Sequence, residues 1–400
     1  MTLHALIFAE TPVQLWGLTN RQRLERVLKK MNIDNWLEQV EAASAGDSIL
    51  LLRGDYLYDE RLIRNLAQKP GTVLQITTEK GAKPIAAHIA ASDAPTVLNF
   101  LYGNMDKEEQ LPPLSCETPQ TLAPPYLKQL LKIDPPYLLP ITEENSKQLE
   151  QRLFSGSYKG VTDLVTKWLW PGPAQTATRF CARKGITPNQ VTSLSLVLVV
   201  IAGLLFFKGC FAWGLVAAWF MTFLDTVDGK LARVTVNSSQ FGNIFDHAID
   251  LVSPPLWYLV WGLGLESWMP GIPFSLNAAF WLIFLGYIAG RLVEGIFTKF
   301  LEPSGIYCWR PIDSWFRLVT ARRNPNLILL AVGLIAGRPD LGLVAVAFWT
   351  VASSIFLVVR LIMGFCQRLS AGSLRPWFLD IDPEAKNPTL AQRCFSSRHT

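Results

Sequence analysis

Residues 225–250 of this 400-residue chain read DTVDGKLARVTVNSSQFGNIFDHAID, and this stretch decides the predicted architecture. It carries the only acidic side chains between residues 190 and 265, which are Asp225, Asp228, Asp246 and Asp250. A carboxylate at membrane depth is costly, and it is kept where it is paired, binds a metal or lines a polar cavity. Because no matching set of four cations lies in this apolar region, we predict a metal site.

The spacing of the aspartates supports this prediction. Asp225 and Asp228 stand three residues apart and Asp246 and Asp250 four apart, so each pair projects from one face of a helix. Two such helices joined by a short turn can aim all four carboxylates at one point. Oxygen ligands of this kind suit Mg²⁺, Mn²⁺ or Ca²⁺ rather than Zn²⁺.

The pattern D-x2-D-G-x2-A-R-x8-G-x3-D-x3-D within this stretch resembles the signature of the CDP-alcohol phosphotransferases, and all eight fixed positions match. The wider resemblance covers roughly residues 160–366. It implies a membrane enzyme that joins a CDP-alcohol and an acceptor alcohol into a phosphodiester and releases CMP. It also implies two divalent ions, Mg²⁺ or Mn²⁺, and a homodimer formed through the membrane helices.

The resemblance also implies roles for single residues. Asp225, Asp228 and Asp246 would be metal ligands, and Asp250 would complete the metal site and act as general base. The residues expected to bind the CDP group are Asp225, Asp228, Gly229, Ala232, Arg233 and Gly242. In this group the small residues would make room for cytidine and diphosphate, and the arginine would pair with phosphate.

Two questions about the substrates stay open at this point. The CDP group could sit on diacylglycerol with a polar acceptor, or on a polar alcohol with a lipid or inositol-phosphate acceptor. Arginines within or beside the later predicted spans are candidates for holding an anionic, phosphorylated acceptor. They are Arg291, Arg322, Arg323 and Arg360. The alternative for Arg291 is a structural ion pair with Glu294, three residues on.

We predict an α-helical polytopic membrane domain of about six transmembrane helices, preceded by a soluble α/β domain. Residues 1–110 alternate predicted strands and helices, 111–160 form a proline-rich linker and a helix, and 161–185 an interfacial amphipathic helix. Residues 186–366 would be the six-span domain and 367–400 a cytoplasmic tail. The spans are placed near 190–207, 211–225, 244–264, 276–298, 325–337 and 341–366, since a span needs roughly 20 apolar residues.

The front domain faintly resembles the nucleotidyltransferase-like domains fused to some members of this family. The similar part is residues 52–59, in which Asp55 stands where those domains have a metal-binding aspartate. Those domains carry a glycine-rich, arginine-containing phosphate loop after the first strand, whereas residues 10–17 here read ETPVQLWG. We therefore interpret the front domain as a degenerate one.

Charge predicts how the chain is oriented. Residues 1–160 hold 17 Lys and Arg against 19 Asp and Glu, and residues 161–400 hold 20 against 13. A basic excess in the membrane half suits anionic lipid headgroups and gives no reason to expect nucleic acid. Lysines and arginines follow the second, fourth and sixth spans, which predicts a multi-pass inner or plasma membrane protein with its site and front domain in the cytoplasm. A scaffold with an inactive site and a cation transporter are the rival functions.

Overall fold

The structure, a computed structural model, describes residues 2–44, 46–79, 81–104, 111–271, 273–381 and 388–395. Within these ranges an α/β domain comes first, and the rest of the chain is almost entirely helical. This order agrees with the expected arrangement of a soluble domain followed by a membrane domain.

The front domain contains a five-stranded mixed sheet and three two-stranded sheets. Its strands are β1 (Leu3–Phe8), β2 (Gln14–Leu15), β3 (Leu18–Thr19), β4 (Ser48–Arg53), β5 (Tyr56–Tyr58), β6 (Thr72–Thr78), β7 (Gly81–Ala90), β8 (Ser115–Glu117), β9 (Tyr126–Leu127), β10 (Lys132–Ile133) and β11 (Leu138–Pro140). The main sheet has the order β1-β4-β7-β6-β8, with β1 parallel to β4 and β6 parallel to β8. The centre of β4 is buried because helices cover both faces of this sheet.

Five helices accompany these strands. They are α1 (Asn20–Lys30), α2 (Glu60–Ala67), α3 (Ala94–Tyr102), α4 (Pro119–Leu122) and α5 (Ser146–Gly156). Thr19 caps α1: its side chain accepts from the backbone N–H of Gln22, and the Gln22 side chain accepts in return from the backbone N–H of Thr19. Part of the predicted linker joins the sheet, since β8 extends its edge and β11 pairs with β5.

The second half of the chain contains nine further helices in the described ranges. They are α6 (Pro171–Arg183), α7 (Pro188–Phe207), α8 (Phe211–Val234), α9 (Gln240–Leu263), α10 (Leu276–Phe300), α11 (Pro311–Val319), α12 (Arg323–Ile335), α13 (Pro339–Ala371) and α14 (Leu390–Phe395). All six predicted apolar segments are therefore helical. Across the part of the chain that is described, α7, α10 and α13 are long and apolar enough to cross a membrane. Helices α8 and α9 carry the four aspartates.

Glycines allow helices α7, α8 and α9 to approach one another closely. A Cβ on Gly214 of α8 would lie 2.4 Å from the Phe206 ring, and a Cβ on Gly264 would lie 1.9 Å from the Phe206 carbonyl oxygen. The buried rings of Trp261 and Phe211 pack with their centroids 4.4 Å apart. This packing fixes α8 against α9 and so fixes the two aspartate pairs.

The front domain is joined to the end of α8 by hydrogen bonds from α1. Arg23 Nη2 donates to the carbonyl oxygen of Val234 at 2.7 Å, and Arg26 Nη1 donates to that of Thr235, also at 2.7 Å. The last carbonyls of a helix lack intrahelical partners, and cations there also complement the helix dipole. Val236, with φ of 52°, inserts into the front-domain core. The helix that carries the first aspartate pair therefore ends inside the front domain.

Candidate active site

Three of the four aspartates form a compact cluster. One carboxylate oxygen from each of Asp225, Asp228 and Asp246 lies within 4.8 Å of the others. The Asp228 side chain is buried and accepts from Thr192 Oγ1 of α7 at 2.6 Å, which fixes its orientation. The donor set consists only of carboxylate oxygens, so these residues fit a hard divalent cation such as Mg²⁺ or Mn²⁺.

Asp250 stands beside this cluster and shares a partner with Asp225. Arg323, at the start of α12, donates from Nη2 to Asp225 Oδ2 at 2.5 Å and from Nη1 to Asp250 Oδ1. The Asp250 side chain is 38% exposed, compared with 18% for that of Asp225. Asp250 is therefore the aspartate of this pair that is more open to an incoming group.

These groups line a polar cavity of about 420 Å³ at one end of the helices. The lining includes three of the four aspartates and seven cationic side chains. The cations are Lys159, Lys230, Arg233, Arg291, Arg317, Arg322 and Arg323. Asp228 lies behind the lining and reaches the site through the aspartate cluster. The cavity thus combines an acidic side, suited to metal ions, with a basic side, suited to phosphate.

One half-buried carboxylate, that of Glu294, pairs with two of the predicted acceptor-binding arginines. Glu294 is ion-paired with Arg322 and lies 3.5 Å from Arg291, so the alternative of an Arg291–Glu294 pair is present in the structure. Tyr307 donates its hydroxyl to Glu294 Oε1 at 2.7 Å. Burial lowers the pKa of Arg322, but Glu294 and Tyr307 raise it above its usual range, so this guanidinium stays charged.

The predicted CDP-binding residues are not all placed alike. Gly229 and Arg233 line the cavity, whereas Ala232 and Gly242 do not. A Cβ on Gly229 would meet only the Arg233 guanidinium, at 3.5 Å, so this glycine leaves open space in front of the arginine. A Cβ on Gly242 would lie 2.5 Å from Asn189 Oδ1, so this glycine makes room for a side chain of α7.

Arg360 is the one predicted acceptor-binding arginine that the structure keeps out of the cavity. It forms a bidentate ion pair with Asp313 of α11, with Nε 2.6 Å and Nη2 2.8 Å from the carboxylate oxygens. Its guanidinium also lies 4.3 Å from the centroid of the Trp309 ring. The arginine and its partner are both buried, so this charge is compensated inside the protein rather than by a ligand.

Two cavity residues have no clear signal in the sequence. Lys159 lies in an irregular stretch after α5. In the sequence, Arg317 of α11 is one of several positive charges between two predicted spans, and nothing distinguishes it from the others. Lys159 reaches the cavity because the stretch of residues 157–166 forms part of its wall, and Arg317 reaches it from α11. Asp163 anchors this stretch by accepting from Asn324 Nδ2 at 2.9 Å. The position of Lys159 at the cavity therefore depends on the tertiary contact between Asp163 and α12.

An apolar groove of about 690 Å³ lies between α9 and α10 beside the polar cavity. The two share Leu251, Tyr287 and Arg291 in their walls. The rest of the groove is lined mainly by aliphatic and aromatic side chains of the two helices. A molecule with a polar head and an apolar tail could occupy both spaces at once.

In the front domain, the aspartate at the predicted metal-binding position is paired with an arginine. The carboxylate of Asp55 is bound by Arg53 through two hydrogen bonds of 2.7 and 2.9 Å. Asp59 caps α2 and pairs with Arg61 at 2.7 Å. Both carboxylates of this stretch are therefore engaged by neighbouring arginines.

Comparison with known proteins identifies a family for one part of the chain. Residues 185–300 match the family model described as CDP-alcohol phosphatidyltransferase, so this part of the chain is a domain of that family. A phosphatidylinositol phosphate synthase of Streptomyces avermitilis is 33% identical over 87 residues, which cover 20% of this chain and 36% of that protein. An archaetidylinositol phosphate synthase of Pyrococcus horikoshii is 35% identical over 82 residues, covering 20% and 43%.

A more distant relative has a different printed activity. Cholinephosphotransferase 1 of Xenopus laevis is 28% identical over 126 residues, which cover 28% of this chain and 30% of that protein. The chain thus spans between 30% and 43% of the length of these three curated relatives. The matched family domain includes the four aspartates and ends at the last residue of α10.

Proposed function

We propose that this chain, with its CDP-alcohol phosphatidyltransferase domain at residues 185–300, is a membrane transferase that converts a CDP-alcohol and an acceptor alcohol into a phosphodiester and CMP. The observation that carries the proposal is the carboxylate cluster of Asp225, Asp228 and Asp246 beside Asp250, inside a cavity whose other side is basic. The reaction needs metal ions and cationic side chains to bind the diphosphate ester, and it needs a base to deprotonate the attacking hydroxyl.

The four aspartates would hold two divalent ions, Mg²⁺ or Mn²⁺. When bound, such ions neutralise phosphate charge and stabilise the charge that develops at the reacting phosphorus. Thr192 keeps the Asp228 carboxylate oriented for this task through its 2.6 Å hydrogen bond. Gly229 leaves space for the diphosphate, and Arg233 binds phosphate oxygens as a charge-assisted donor.

The reaction is a single displacement at phosphorus. The acceptor hydroxyl oxygen forms a new bond to the phosphorus that carries the donor's alcohol, and the bond from that phosphorus to the CMP oxygen breaks. The proton of the hydroxyl passes to a carboxylate oxygen of Asp250, and CMP leaves as the anion. Asp250 suits this role because its side chain is the more open one, and because Arg323 holds it in place.

At least one of the two substrates is a lipid. The apolar groove between α9 and α10 joins the polar cavity at Tyr287 and Arg291, so an acyl chain could lie in the groove while the head group reaches the aspartates. The relatives are named for phosphatidylinositol phosphate synthesis and for choline phosphotransfer, so both CDP-diacylglycerol and CDP-amino alcohols are candidate donors.

In this proposal the six apolar helices all span the membrane, and the site, the front domain and the C-terminal tail face the cytoplasm. The positive charges next to the site end of the helices support that orientation. The domain pairs with a second copy through its membrane helices, as expected from the family resemblance. The front domain is a degenerate nucleotidyltransferase-like domain, in which Arg53 engages the carboxylate of Asp55, and it supports α8.

The test is CMP release by the purified protein in detergent or lipid with Mg²⁺ or Mn²⁺. The donors would be CDP-diacylglycerol, CDP-inositol and CDP-amino alcohols, each with and without an acceptor. Metal-dependent CMP release that needs both partners is the expected result. If every donor remains intact with every acceptor, although the protein is folded and binds the metal, the proposal is wrong.

A further inference from the structure

A short stretch of chain outside the matched family domain separates the polar cavity from a second pocket. Residues 157–163, here called the wall segment, follow α5 and contribute Lys159 and residues 161–163 to the lining of the polar cavity. Lys159 also lines the second pocket, of about 330 Å³, together with Gly160 and with Phe395 at the end of α14. The wall segment therefore has the candidate active site on one side and the C-terminal helix on the other.

Two helices that bear cavity residues hold the ends of the wall segment. At its start, the Ser157 carbonyl accepts from Lys230 Nζ at 3.2 Å and from Arg233 Nη1 at 3.3 Å, both on α8. At its end, the Asp163 carboxylate accepts from Asn324 Nδ2 of α12 at 2.9 Å. These contacts fix the two ends, so the position of the middle of the segment depends on other contacts.

Backbone groups from two distant parts of the chain hold the middle of the wall segment, at Gly160. The N–H of Gly160 donates to the Leu130 carbonyl at 2.8 Å. A Cβ on Gly160 would collide with the Leu131 carbonyl oxygen and would lie 2.7 Å from the Phe395 carbonyl oxygen. Because glycine has no side chain, the three backbones can approach this closely. The end of α14 thus lies directly against the wall segment.

The side chain of Phe395 anchors α14 at this point. Its ring is buried, and the ring centroid lies 5.2 Å from that of Trp315 on α11 and 6.5 Å from that of Trp377. Aromatic pairs at such separations add to the stabilisation that burial alone gives. Val161 of the wall segment belongs to the same buried hydrophobic cluster. Loss of the Phe395 ring would therefore loosen this cluster where α14 meets the wall segment.

Phe395 also acts on the wall segment through a lysine. Lys167 Nζ lies 4.9 Å from the centroid of the Phe395 ring and donates to the Gly160 carbonyl at 2.9 Å. The ring attracts the ammonium group and helps to keep water from this charge-assisted hydrogen bond. Phe395 therefore reaches Gly160 in two ways, through its own carbonyl group and through the Lys167 side chain.

Helix α14 is a defined element with one face on the protein. The N–H of Thr389 donates to Gln392 Oε1 at 2.7 Å, and the N–H of Gln392 donates to Thr389 Oγ1 at 3.3 Å, so the start of the helix is capped. Ala391 is buried, whereas the Leu390 side chain is 75% exposed. The face with Ala391 and Phe395 thus packs on the protein, and Leu390 offers a position on the same helix for a control.

We propose that Phe395 is a positioning residue and that α14 is a strap, which holds the wall segment in the place where it closes one side of the polar cavity. Release of the strap leaves the aspartates on α8 and α9 in place, because those helices pack against each other independently of α14. It alters the cavity wall beside the substrates instead. For its effect on turnover this inference rests on the proposed function, whereas the position of the wall segment can be measured without turnover.

The experiment compares the full-length wild type with Phe395→Ala, Lys167→Met and the double variant. Hydrogen exchange at residues 157–163 is measured without substrate. The values of kcat and KM are then measured by CMP release, with the donor and acceptor that the wild type uses. Leu390→Ala, an exposed position on the same helix, is the matched control.

Phe395→Ala should speed exchange across residues 157–163 by about 10-fold or more, because local opening of the segment costs less free energy without the strap. It should raise the KM of at least one substrate by about 10-fold and keep kcat within about threefold of the wild type, since the wall contacts the substrates and not the aspartates. The double variant should raise KM by less than the product of the two single effects, because both residues act through Gly160. Leu390→Ala should behave like the wild type.

Unchanged exchange at residues 157–163 in Phe395→Ala overturns the inference. Faster exchange with the KM of both substrates unchanged also overturns it, and leaves CMP release, and so the proposed function, intact. If the wild type releases no CMP, the proposed function fails, and the exchange result alone decides whether α14 holds the wall segment. Phe395→Leu keeps an apolar side chain in the cluster and takes the place of Phe395→Ala if that variant does not fold; it should show the same changes at a smaller size.

Discussion

Arg323 at the start of α12 binds the carboxylate of Asp225 on α8 with an Nη2–Oδ2 distance of 2.5 Å, and its other terminal nitrogen binds Asp250 on α9. One guanidinium thus joins the first aspartate of the motif to the last. The same carboxylates are proposed metal ligands, so the arginine and a metal ion compensate the same negative charge. We therefore predict that Arg323 affects how strongly the stability of the site depends on a bound metal.

Replacing this arginine should change the response of the protein to metal. Without its charge, Asp225 and Asp250 repel each other in the metal-free protein, so Arg323→Gln should unfold at a lower temperature than the wild type. Addition of Mg²⁺ or Mn²⁺ should then raise the unfolding temperature of the variant by more than that of the wild type. Thermal unfolding across a metal titration measures both effects.

Arg322→Gln is the matched control for this experiment. Arg322 is the adjacent residue, but its carboxylate partner is Glu294 rather than an aspartate of the motif. Its metal response should therefore equal that of the wild type. If metal raises the unfolding temperature of Arg323→Gln no more than that of the wild type, Arg323 and the metal ion do not compensate the same negative charge, and the prediction is wrong.

Asp250→Asn should remove the proposed general base and keep the metal cluster formed by the other three aspartates. We expect the rate of CMP release to fall by about 10²- to 10⁴-fold, the range typical of general acid–base catalysis. Donor binding, measured by equilibrium dialysis with labelled CDP-alcohol, should change little. Asp340→Asn, at the start of α13 beside Arg338, is the control and should retain full activity. A variant at position 250 that releases CMP at the wild-type rate would exclude Asp250 as the base.

The Arg360–Asp313 pair should affect stability rather than substrate affinity. Removal of one partner leaves the other charge buried and unpaired, a change that costs about 3–5 kcal/mol in other proteins. Arg360→Met should therefore lower the unfolding temperature in detergent, while the KM of the acceptor in the surviving folded enzyme stays the same. The double variant Arg360→Met/Asp313→Leu should recover part of the lost stability. An acceptor KM that rises in Arg360→Met with unchanged stability would restore Arg360 as a ligand-binding residue.

Arg23 should couple the front domain to the catalytic helix. Arg23→Met leaves the buried Val234 carbonyl without its donor, a loss of about 1–3 kcal/mol. We expect faster hydrogen exchange at the end of α8 and a lower CMP-release rate at saturating substrate. Arg21→Met, in the same helix but in an exposed ion-pair network, should show neither effect. Unchanged exchange at residues 228–236 in Arg23→Met would show that the contact does not brace α8.

The sequence alone predicted most of the helices and the clustering of the motif aspartates. Spacing of three and four residues between aspartates, with glycines beside them, is a local property, and helices α8 and α9 place these groups as that spacing requires. The longer strands of the front domain, β1, β4, β6 and β7, likewise follow from local patterns, whereas β8 and β11 lie in the segment predicted as a linker. Long apolar runs marked the helices of the second half for the same reason.

Only the tertiary structure decided which cations share the cavity. Arg323 reaches Asp225 across 98 residues of chain, and Asn324 reaches Asp163 across 161, so no local pattern could reveal either contact. Arg291 and Arg360 look alike in sequence as charges within apolar helices. One lines the cavity, whereas the other is buried against Asp313. A side chain's role depends on which distant groups surround it, and that is set by how the helices and the loop of Lys159 pack together.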